Sequence, residues 1–589
     1  MKLNLLSTVI LTTFLTACSN DTGKHVEQQI QLTEQGRFHT YIFDQSAAEI
    51  VTYDKITRQT FVVNAQSGKV DIIDSADIQH PLFVASLDVA SDIKQHFNAS
   101  AGAVNSVDIF NGLLAVAIAG QVKTDPGWVV FYNSHDLSFI KAEYVGALPD
   151  MLTFTKTGEQ LIVAIEGEPS AKNYAIDPLG EIAIFDILWQ NNKLTTQLTR
   201  LNFSDFNLGG PRFNELPKQL VLNGHNAQIA QDIEPEYVAV NANSSKAYIA
   251  LQENNAIAVV DLKTKSIDKI MALGFKDHLL PGNELDGNNK DKKVNIKNEP
   301  ALGLYQPDSI AAVTINHIDY LITANEGDDR SDWISDLSVA DCEANDFYYN
   351  HEDKICADDI TLHDASDSVL YRPENVNSRL DLSHFQAGGQ YQNAVQRIKF
   401  SHSISKQFGD LDNDGKLDRL LTFGGRSFSV WDIENESLIF DSGSDFEKIT
   451  AQKYGQKFNQ THNKSKNEDR SDNKGPEPEA LTVAVIAGKT YAFIGLERMG
   501  GIMVYDISQP EDAQFVQYLN NRQLDIDPGN NKNENVNGIK KYNIDAGDLG
   551  PEGMKFVSAE DSPTKAPILI VGNEVSGTTS FYRIDLISK

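Results

Sequence analysis

A short pattern recurs along the chain, in which a Pro-Asp or Pro-Glu turn leads directly into a hydrophobic strand. Full copies stand at Pro149-Asp150, Pro235-Glu236, Pro307-Asp308, Pro478-Glu479 and Pro551-Glu552, and weaker copies begin at Glu49 and Ser106. A second apolar run follows and often ends at a glutamate, namely Glu166, Glu253, Glu326, Glu497 or Glu574. A third, alternating strand then ends at an aspartate, as at Asp74, Asp186, Asp261, Asp432, Asp506 and Asp585. Three such strands followed by a weaker fourth are typical of a β-propeller blade.

The repeat therefore predicts an all-β fold, a seven-bladed β-propeller with long polar loop insertions. The first strands of the blades start near Glu49, Ser106, Asp150, Glu236, Asp308, Glu479 and Glu552. The strands between Leu420 and Phe440 either complete the blade that opens at Asp308 or form an eighth blade. A β-sandwich or a pair of separate β domains is the alternative, because propeller blades are usually spaced more evenly than these.

We assign residues 36–589 to the propeller, with insertions near 275–305, 328–395, 452–476 and 521–548. Polar stretches within these segments contain too few apolar residues to build cores of their own, so we expect surface loops. Because such stretches precede the Pro-Glu turns, we expect them on the same face of the propeller, where they could cover the mouth of the central channel.

The N-terminal segment has the features of a bacterial lipoprotein signal. Lys2 gives a positive start, the apolar run to Leu15 is too short to span a bilayer, and Leu15-Thr16-Ala17-Cys18 resembles a lipobox. We expect a signal peptide over residues 1–17, a lipid on Cys18 and a flexible tether over residues 18–35. Ser19 stands where an aspartate would favour the inner membrane, which favours the outer membrane or cell surface. An ordinary cleavable signal with an incidental cysteine is the alternative.

The charge of the chain excludes one class of partner. Its 589 residues include 82 acidic and 51 basic side chains, which gives a formal net charge of -31. Such a chain repels phosphate backbones, so nucleic acid is not an expected partner. The expected partners are the membrane, reached through the lipid anchor, and an extracellular small molecule, ion or surface ligand.

The two cysteines besides Cys18 lie close together in a polar segment. Cys342 and Cys356 are separated by thirteen residues, and an oxidising exported compartment favours a disulfide between them. A two-cysteine metal site with His351 is the alternative, although the spacing matches no zinc pattern.

One loop predicts a calcium site by itself. Residues 410–418 follow the pattern D-x-D-x-D-G-x-x-D, in which alternating oxygen ligands wrap a hard cation and Gly415 permits the turn. The predicted ligands are Asp410, Asp412, Asp414, the backbone carbonyl of Lys416, and Asp418. Leu421 stands where a helix-loop-helix site would have its glutamate, so we expect a calcium loop embedded in a β protein. A solvated acidic turn without metal is the alternative.

A second acidic site is predicted at the mouth of the central channel, which we call the funnel. The innermost strands of a propeller line its channel, so carboxylates at their ends converge although they lie far apart in sequence. The candidate metal ligands are Glu166, Glu236, Glu326, Glu479, Glu497, Glu552 and Glu574. Like charges at such density need a cation or protonation, and oxygen ligands favour Ca²⁺.

Three arginines stand beside the acidic positions in sequence. Arg330, Arg426 and Arg498 could each hold a phosphate or carboxylate group of a substrate by two hydrogen bonds. The alternative for the whole set is that the charges solvate loop ends or pair with one another. Motifs for a nucleophilic serine, a zinc protease, a P-loop or a dinucleotide site are absent from the sequence.

Several segments together resemble the choice-of-anchor I family. They are residues 232–237, 324–328, 423–429, 475–479 and 550–553, and the resemblance covers roughly residues 35–587. The family includes bacterial surface proteins and is similar to mesenchyme-specific cell-surface glycoproteins, and some relatives carry the label alkaline phosphatase. The resemblance implies a propeller held at the cell surface by an anchor, here a lipid.

Two functional hypotheses follow. The first is a calcium-stabilised surface propeller without catalytic activity that binds an extracellular ligand or ions. The second is a calcium-dependent alkaline phosphatase or phytase-like enzyme, in which funnel glutamates hold metals and arginines hold the phosphate. Carboxylates fit both hypotheses, whereas arginines that converge on the same carboxylates would favour the enzyme.

Overall fold

A computed structural model describes residues 28–191, 193–222, 224, 227–365, 380–529 and 540–588. The predicted signal peptide, Cys18 and the first part of the predicted tether lie outside the described residues. Within those ranges, no helix is long and apolar enough to cross a membrane.

Seven four-stranded antiparallel sheets form the body of the molecule, and we number them as blades 1 to 7. The innermost strands, in blade order, are Val51–Asp54, Ala101–Phe110, Pro149–Phe154, Val238–Val240, Ile310–Ile315, Pro478–Ile486 and Pro551–Val557. The second strands are Gln59–Asn64, Leu113–Gly120, Gln160–Ile165, Lys246–Leu251, Ile318–Ala324, Lys489–Leu496 and Ile568–Asn573. The third strands are Lys69–Asp74, Pro126–Asn133, Glu181–Gln190, Ala256–Asp261, Phe428–Asp432, Ile502–Asp506 and Thr578–Ser588. The outer strands are Leu82–Leu87, Phe139–Ala147, Lys193–Asn202, Ser266–Ala272, Ser437–Asp441, Gln514–Leu519 and Gln28–His39.

The innermost strands form a closed ring, in which each contacts the innermost strands of the two neighbouring blades. The predicted all-β, seven-bladed propeller is therefore confirmed. Phe428–Asp432 and Ser437–Asp441 complete blade 5, so the strands near residue 430 do not form an eighth blade. Leu420–Thr422 instead joins Phe275–Asp277 and Ala301–Leu304 in a separate three-stranded sheet.

The core lies between adjacent blades. Ile162 and Ile184 of blade 3, for example, pack with Ile249 and Val260 of blade 4 and are almost fully buried. Alternation of apolar residues gives each middle strand one face toward each neighbouring blade. Each such side chain contributes about 1.5–3 kcal/mol when it is buried, so the blades stabilise one another.

The two ends of the described chain meet in blade 7. The strand Gln28–His39 pairs with Thr578–Ser588, from Gln28 opposite Ser588 to His39 opposite Thr578, with one irregularity between Glu34 and Gly36. Residues 28–35 therefore belong to the propeller and not to the expected tether, because the last blade needs an outer strand. That strand starts at the face opposite the funnel, since innermost strands run from the funnel toward that face.

Helices and short strands occupy the connections. The α-helices are Val89–Phe97, Ile229–Asp232, Ser331–Ile334, Val339–Ala344, Leu362–Ala365, His402–Phe408 and Asp445–Tyr454. Single 3-10 turns lie at Ser204–Phe206, Phe213–Glu215, Gly455–Lys457, Pro510–Asp512 and Ile544–Ala546. Two small sheets pair Tyr348–Asn350 with Ile355–Ala357 and Asp359–Ile360 with Phe400–Ser401.

The largest insertion joins the second and third strands of blade 5, so it leaves and re-enters the propeller at the funnel end. The structure joins Cys342 and Cys356 of this insertion by a disulfide, with Cα atoms 5.9 Å apart. Both cysteines are buried in a small cluster with Trp333 and Phe347. His351, the third ligand of the alternative metal site, contacts the ring of Tyr349 with centroids 5.1 Å apart.

Candidate functional site

Acidic side chains enter the funnel from two positions in a blade. One position is the start of the innermost strand, and the other directly follows the second strand. Pro149, Pro478 and Pro551 pair with the last residue of the adjacent strand, and the register then shifts before pairing resumes. Such irregularities re-aim side chains, so the acidic residue after each proline turns into the channel. Three blades thereby place two carboxylates side by side.

The funnel is a cavity of about 520 Å³. Its ten lining carboxylates are those of Asp44, Asp150, Glu236, Asp308, Glu326, Asp328, Glu479, Glu497, Glu552 and Glu574. Lys474, Arg498 and His462 also line it. Six of the seven predicted glutamates therefore meet in one cavity. The seventh, Glu166, is not among the lining residues, and burial, followed by repulsion from Glu168 and Asp150, raises its pKa well above the ordinary value.

Several carboxylates of the funnel, supplied by blades 4, 6 and 7, have no cationic partner within the described ranges. Burial, followed by repulsion from neighbouring carboxylates, raises the pKa of Glu236, Glu479 and Glu552 well above the ordinary value. The Oε2 atom of each of these glutamates is shielded from solvent and accepts no hydrogen bond from the described residues. Burial also raises the pKa of Glu49 and Glu574 to about 8. No lysine or arginine of the described ranges forms an ion pair with any of these five glutamates, although the charge of Arg498 partly offsets the rise in the pKa of Glu574.

Other carboxylates at the funnel are neutralised by cationic side chains of the protein itself. The Nζ atom of Lys474 lies 2.7 Å from Glu326 Oε1 and 3.2 Å from Glu477 Oε2. Arg470 and Arg498 also pair with Glu477, at 2.6 and 3.0 Å. Burial alone would raise the pKa of Glu477, but Arg470 and the other two cations bring it far below the ordinary value.

The structure separates the three predicted arginines. Arg498 lines the funnel, where Nη1 lies 3.0 Å from Glu497 Oε1 and 2.7 Å from the His462 ring. Nη2 of Arg498 makes no hydrogen bond to any residue within the described ranges.

Arg330 and Arg426 do not line the cavity. Arg330 is buried and pairs with Asp232 at 3.3 Å and Glu234 at 2.9 Å. Arg426 pairs with Glu447 and donates to the backbone carbonyls of Asp286, Ser471 and Asn473. Its guanidinium is therefore directed into the packing of the insertions. The three arginines do not converge on one carboxylate cluster, which was the arrangement that would have favoured the enzyme hypothesis.

Three groups of potential metal ligands lie around the funnel, and we call them triads. They are Glu49–Glu552–Glu574, His462–Glu497–Glu574 and Glu326–Glu477–Glu497, and in each the ligand atoms lie within 4.8 Å of one another. Glu574 and Glu497 each belong to two triads. Three carboxylate ligands suit Ca²⁺, whereas the group with an imidazole also contains a ligand that transition metals accept.

In the predicted calcium loop, three of the four predicted aspartates come together. Ligand atoms of Asp410, Asp412 and Asp418 lie within 4.8 Å of one another. Asp414 differs from the expectation, because its Oδ2 is 2.7 Å from the Nζ atom of Lys416 and it is not part of that group. Gly415 has a φ of 86°, which gives the turn the left-handed conformation that a glycine permits.

Sequence reasoning missed several funnel residues for different reasons. Asp150, Asp308 and Glu49 stand at the same repeat position as Glu552, so the repeat itself could have identified them as ligands. His462 and Lys474 lie in the insertion before blade 6, which has no repeat to align. No sequence signal places them in the funnel.

Fold and cavity together define a seven-bladed β-propeller with an acidic funnel at one end. The chain belongs to the choice-of-anchor I domain family, whose profile matches residues 49–510. Membership in this family indicates a protein of the cell surface.

Individual relatives are more distant. Gigasin-3a of Magallana gigas is 32% identical over 190 residues, which is 31% of this chain and 63% of Gigasin-3a. The chain therefore spans less than two thirds of that relative.

Among solved structures, a chain of the mitotic checkpoint complex aligns with 98% of this chain and 99% of its own length, with 10% identity and a TM-score of 0.38. Hydrazine synthase of Kuenenia stuttgartiensis aligns over 93% and 96%, with 10% identity and a TM-score of 0.39. The β-propeller domain of Cps50 (Swd1) from Myceliophteria thermophila aligns over 93% and 99%, with 8% identity and a TM-score of 0.37.

Proposed function

We propose that the protein is an exported lipoprotein of the outer membrane or cell surface whose funnel binds divalent cations, chiefly Ca²⁺, and through them an extracellular ligand. One observation carries this proposal, namely the funnel carboxylates that have no cationic partner within the described ranges. The lining includes ten carboxylates against Lys474 and Arg498. Buried charges of one sign need a counter-charge or protonation, and a bound divalent cation neutralises several of these carboxylates at once.

The donor atoms favour calcium. Glu236, Glu479 and Glu552 each offer an oxygen that is shielded from solvent and has no hydrogen-bond partner among the described residues. Ca²⁺ takes six to eight oxygen ligands in flexible geometry, which suits carboxylates supplied by separate blades. The Asp410 loop supports a second, more exposed calcium site with Asp412 and Asp418 as further ligands.

The position of the strand that closes blade 7 supports a funnel that faces away from the membrane. The first described strand starts at Gln28 on the face opposite the funnel. A lipid on Cys18 would hold that face toward the membrane, because a segment of only nine residues separates Cys18 from Gln28. The funnel would then face away from the membrane and be open to extracellular ligands.

Calcium titration of Glu552→Gln tests the funnel site. Chelator-stripped wild type and variant would be compared by isothermal titration calorimetry, with Glu434→Gln as control because Glu434 is 86% exposed outside the funnel. Loss of a charged ligand should weaken calcium binding about tenfold or more at one site, and the control should match wild type. Equal affinities and numbers of sites in Glu552→Gln and wild type would refute the proposal.

Arg498 keeps a second candidate function open, a calcium-dependent phosphoric-monoester hydrolase. Arg498 lines the funnel and its Nη2 group has no hydrogen-bond partner within the described ranges, so this group could offset charge on a phosphoryl oxygen beside a bound cation. The calcium-loaded protein should then hydrolyse an aryl phosphate, and Arg498→Gln should lower turnover by orders of magnitude. Absence of hydrolysis across pH 6 to 10 would exclude this candidate.

A further inference from the structure

The funnel contains two all-carboxylate triads that differ in one respect. Glu326–Glu477–Glu497 encloses Lys474, whose side chain is 10% exposed. The Lys474 ammonium donates to Glu326 and to the carbonyl of Gly327, and it lies 3.2 Å from Glu477 Oε2. The Lys474 ammonium, together with Arg470 and Arg498, thus supplies the positive charge that this triad needs.

The other triad, Glu49–Glu552–Glu574, has no such group. Its nearest polar neighbour is Ser46, whose hydroxyl donates to Glu574 Oε2 at 3.1 Å. No lysine or arginine in the described ranges forms an ion pair with any of the three glutamates. Oε2 of Glu552 is shielded from solvent, accepts no hydrogen bond from the described residues, and belongs to a side chain that lines the funnel.

The position of Glu49 depends on two glycines of blade 7. A Cβ atom on Gly572 would lie 2.0 Å from the carbonyl oxygen of Glu49, and one on Gly553 would lie 2.6 Å from it. Only glycine allows the backbone before blade 1 to approach blade 7 this closely. The approach brings the Glu49 carboxylate to those of Glu552 and Glu574, although the residues belong to opposite ends of the chain.

We infer that Glu49, Glu552 and Glu574 form the exchangeable divalent-cation site of the funnel, and that Lys474 is a built-in cation that permanently fills the equivalent triad. The inference rests on the proposed function. It assigns cation binding in the funnel to one site and adds Glu49 to the ligands predicted from the sequence. A single exchangeable ion then sits between blades 7 and 1. Arg498 and Glu574 both line the funnel, and Arg498 would bind an anionic group of a ligand.

Counting bound ions tests this assignment. Equilibrium dialysis with radioactive calcium would measure the number of ions per chain in chelator-stripped full-length protein. Glu49→Gln should bind one ion fewer than wild type, because the substitution keeps the shape of the side chain and removes a charged ligand. Lys474→Met should bind one ion more, since it vacates the second triad. The exposed Glu434→Gln control should equal wild type.

The outcomes separate the inference from the proposed function. If Glu49→Gln retains the wild-type count while Glu236→Gln loses an ion, the funnel binds calcium elsewhere and the inference is wrong. If neither variant changes the count, the proposed function fails as well. A Lys474→Met variant that melts cooperatively and keeps the wild-type count would contradict the role of Lys474. Gly572→Ala is a second test of the Glu49 site, because displacement of Glu49 by the added Cβ should remove one ion. A wild-type count in Gly572→Ala would contradict the inference.

Discussion

At the scale of single residues, protons and metal ions compete for the same oxygens. Burial raises the pKa of Glu49 to about 8, against an ordinary value of 4.5, and raises that of Asp150 to about 7. In the absence of metal, these carboxylates therefore hold protons near neutral pH. A bound cation would displace the protons, so calcium binding should release acid.

The metal-free protein should become less stable as pH rises. Unfolded Glu49 loses its proton near pH 4.5, whereas the folded form keeps it until about pH 8. Between these values the folded state binds more protons, so the free energy of unfolding falls with increasing pH. Thermal melts in chelator from pH 5 to 8 should show a decreasing Tm, and saturating calcium should reduce the decrease. A Tm that increases over this range in chelator would contradict the assignment.

The repeat predicted the carboxylates of the funnel better than its cations. Glu552 and Glu574 follow from the blade pattern because each blade repeats the same backbone path. Lys474 lies in an irregular insertion, whose path depends on contacts distant in sequence. Arg426 stands at a predicted blade position, yet its partner Glu447 belongs to the helix Asp445–Tyr454. Sequence spacing contains no information about that contact.

At the scale of elements, the insertions create features that blades alone would lack. The Asp410 loop follows the helix His402–Phe408 and precedes the strand Leu420–Thr422, so it is held at both ends. Backbone amides of Asp414 and Gly415 donate to Asp410, at 3.2 and 2.9 Å. The turn is therefore shaped before any ion binds.

Asp412→Asn should reduce the stabilisation of the protein by calcium. A ligand present at a hundred times its dissociation constant adds about 2.7 kcal/mol to the free energy of unfolding, and loss of one carboxylate lowers the affinity. Asp414→Asn is the matched control, because the Asp414 carboxylate pairs with Lys416. Calcium-dependent Tm shifts should be smaller in Asp412→Asn and nearly unchanged in Asp414→Asn. Identical shifts in wild type and Asp412→Asn would argue against metal binding by this loop.

At the scale of the whole molecule, seven similar blades form one ring, which is closed where the first and last described strands pair in blade 7. The repeat predicted blade number and the approximate strand starts, since each start has its own acidic turn. It did not predict that residues 28–35 close blade 7, because an outer strand has a weak pattern and its partner lies more than five hundred residues away. The structure shows that partner to be Thr578–Ser588.

Cys18→Ala should release the protein from membranes. Without the thiol there is no site for the lipid that would hold the protein at the membrane. Membrane and soluble fractions would be compared by immunoblot for wild type and variant, together with processing in the presence of a signal-peptidase II inhibitor. A variant that remains in the membrane fraction would rule out the lipid anchor.

The strand that closes blade 7 also determines how the molecule responds to mechanical force. A pull on the anchor acts at Gln28 along the axis of a strand that pairs with Thr578–Ser588 over eleven residue positions. Hydrogen bonds of an antiparallel ladder lie perpendicular to the strands, so the pull shears all of them together and does not unzip them one by one. Rupture would open the ring at blade 7, which holds Glu552 and Glu574. Sufficient tension on the tether would thus release the bound cation. Tension at the anchor and cation binding in the funnel would therefore each affect the other.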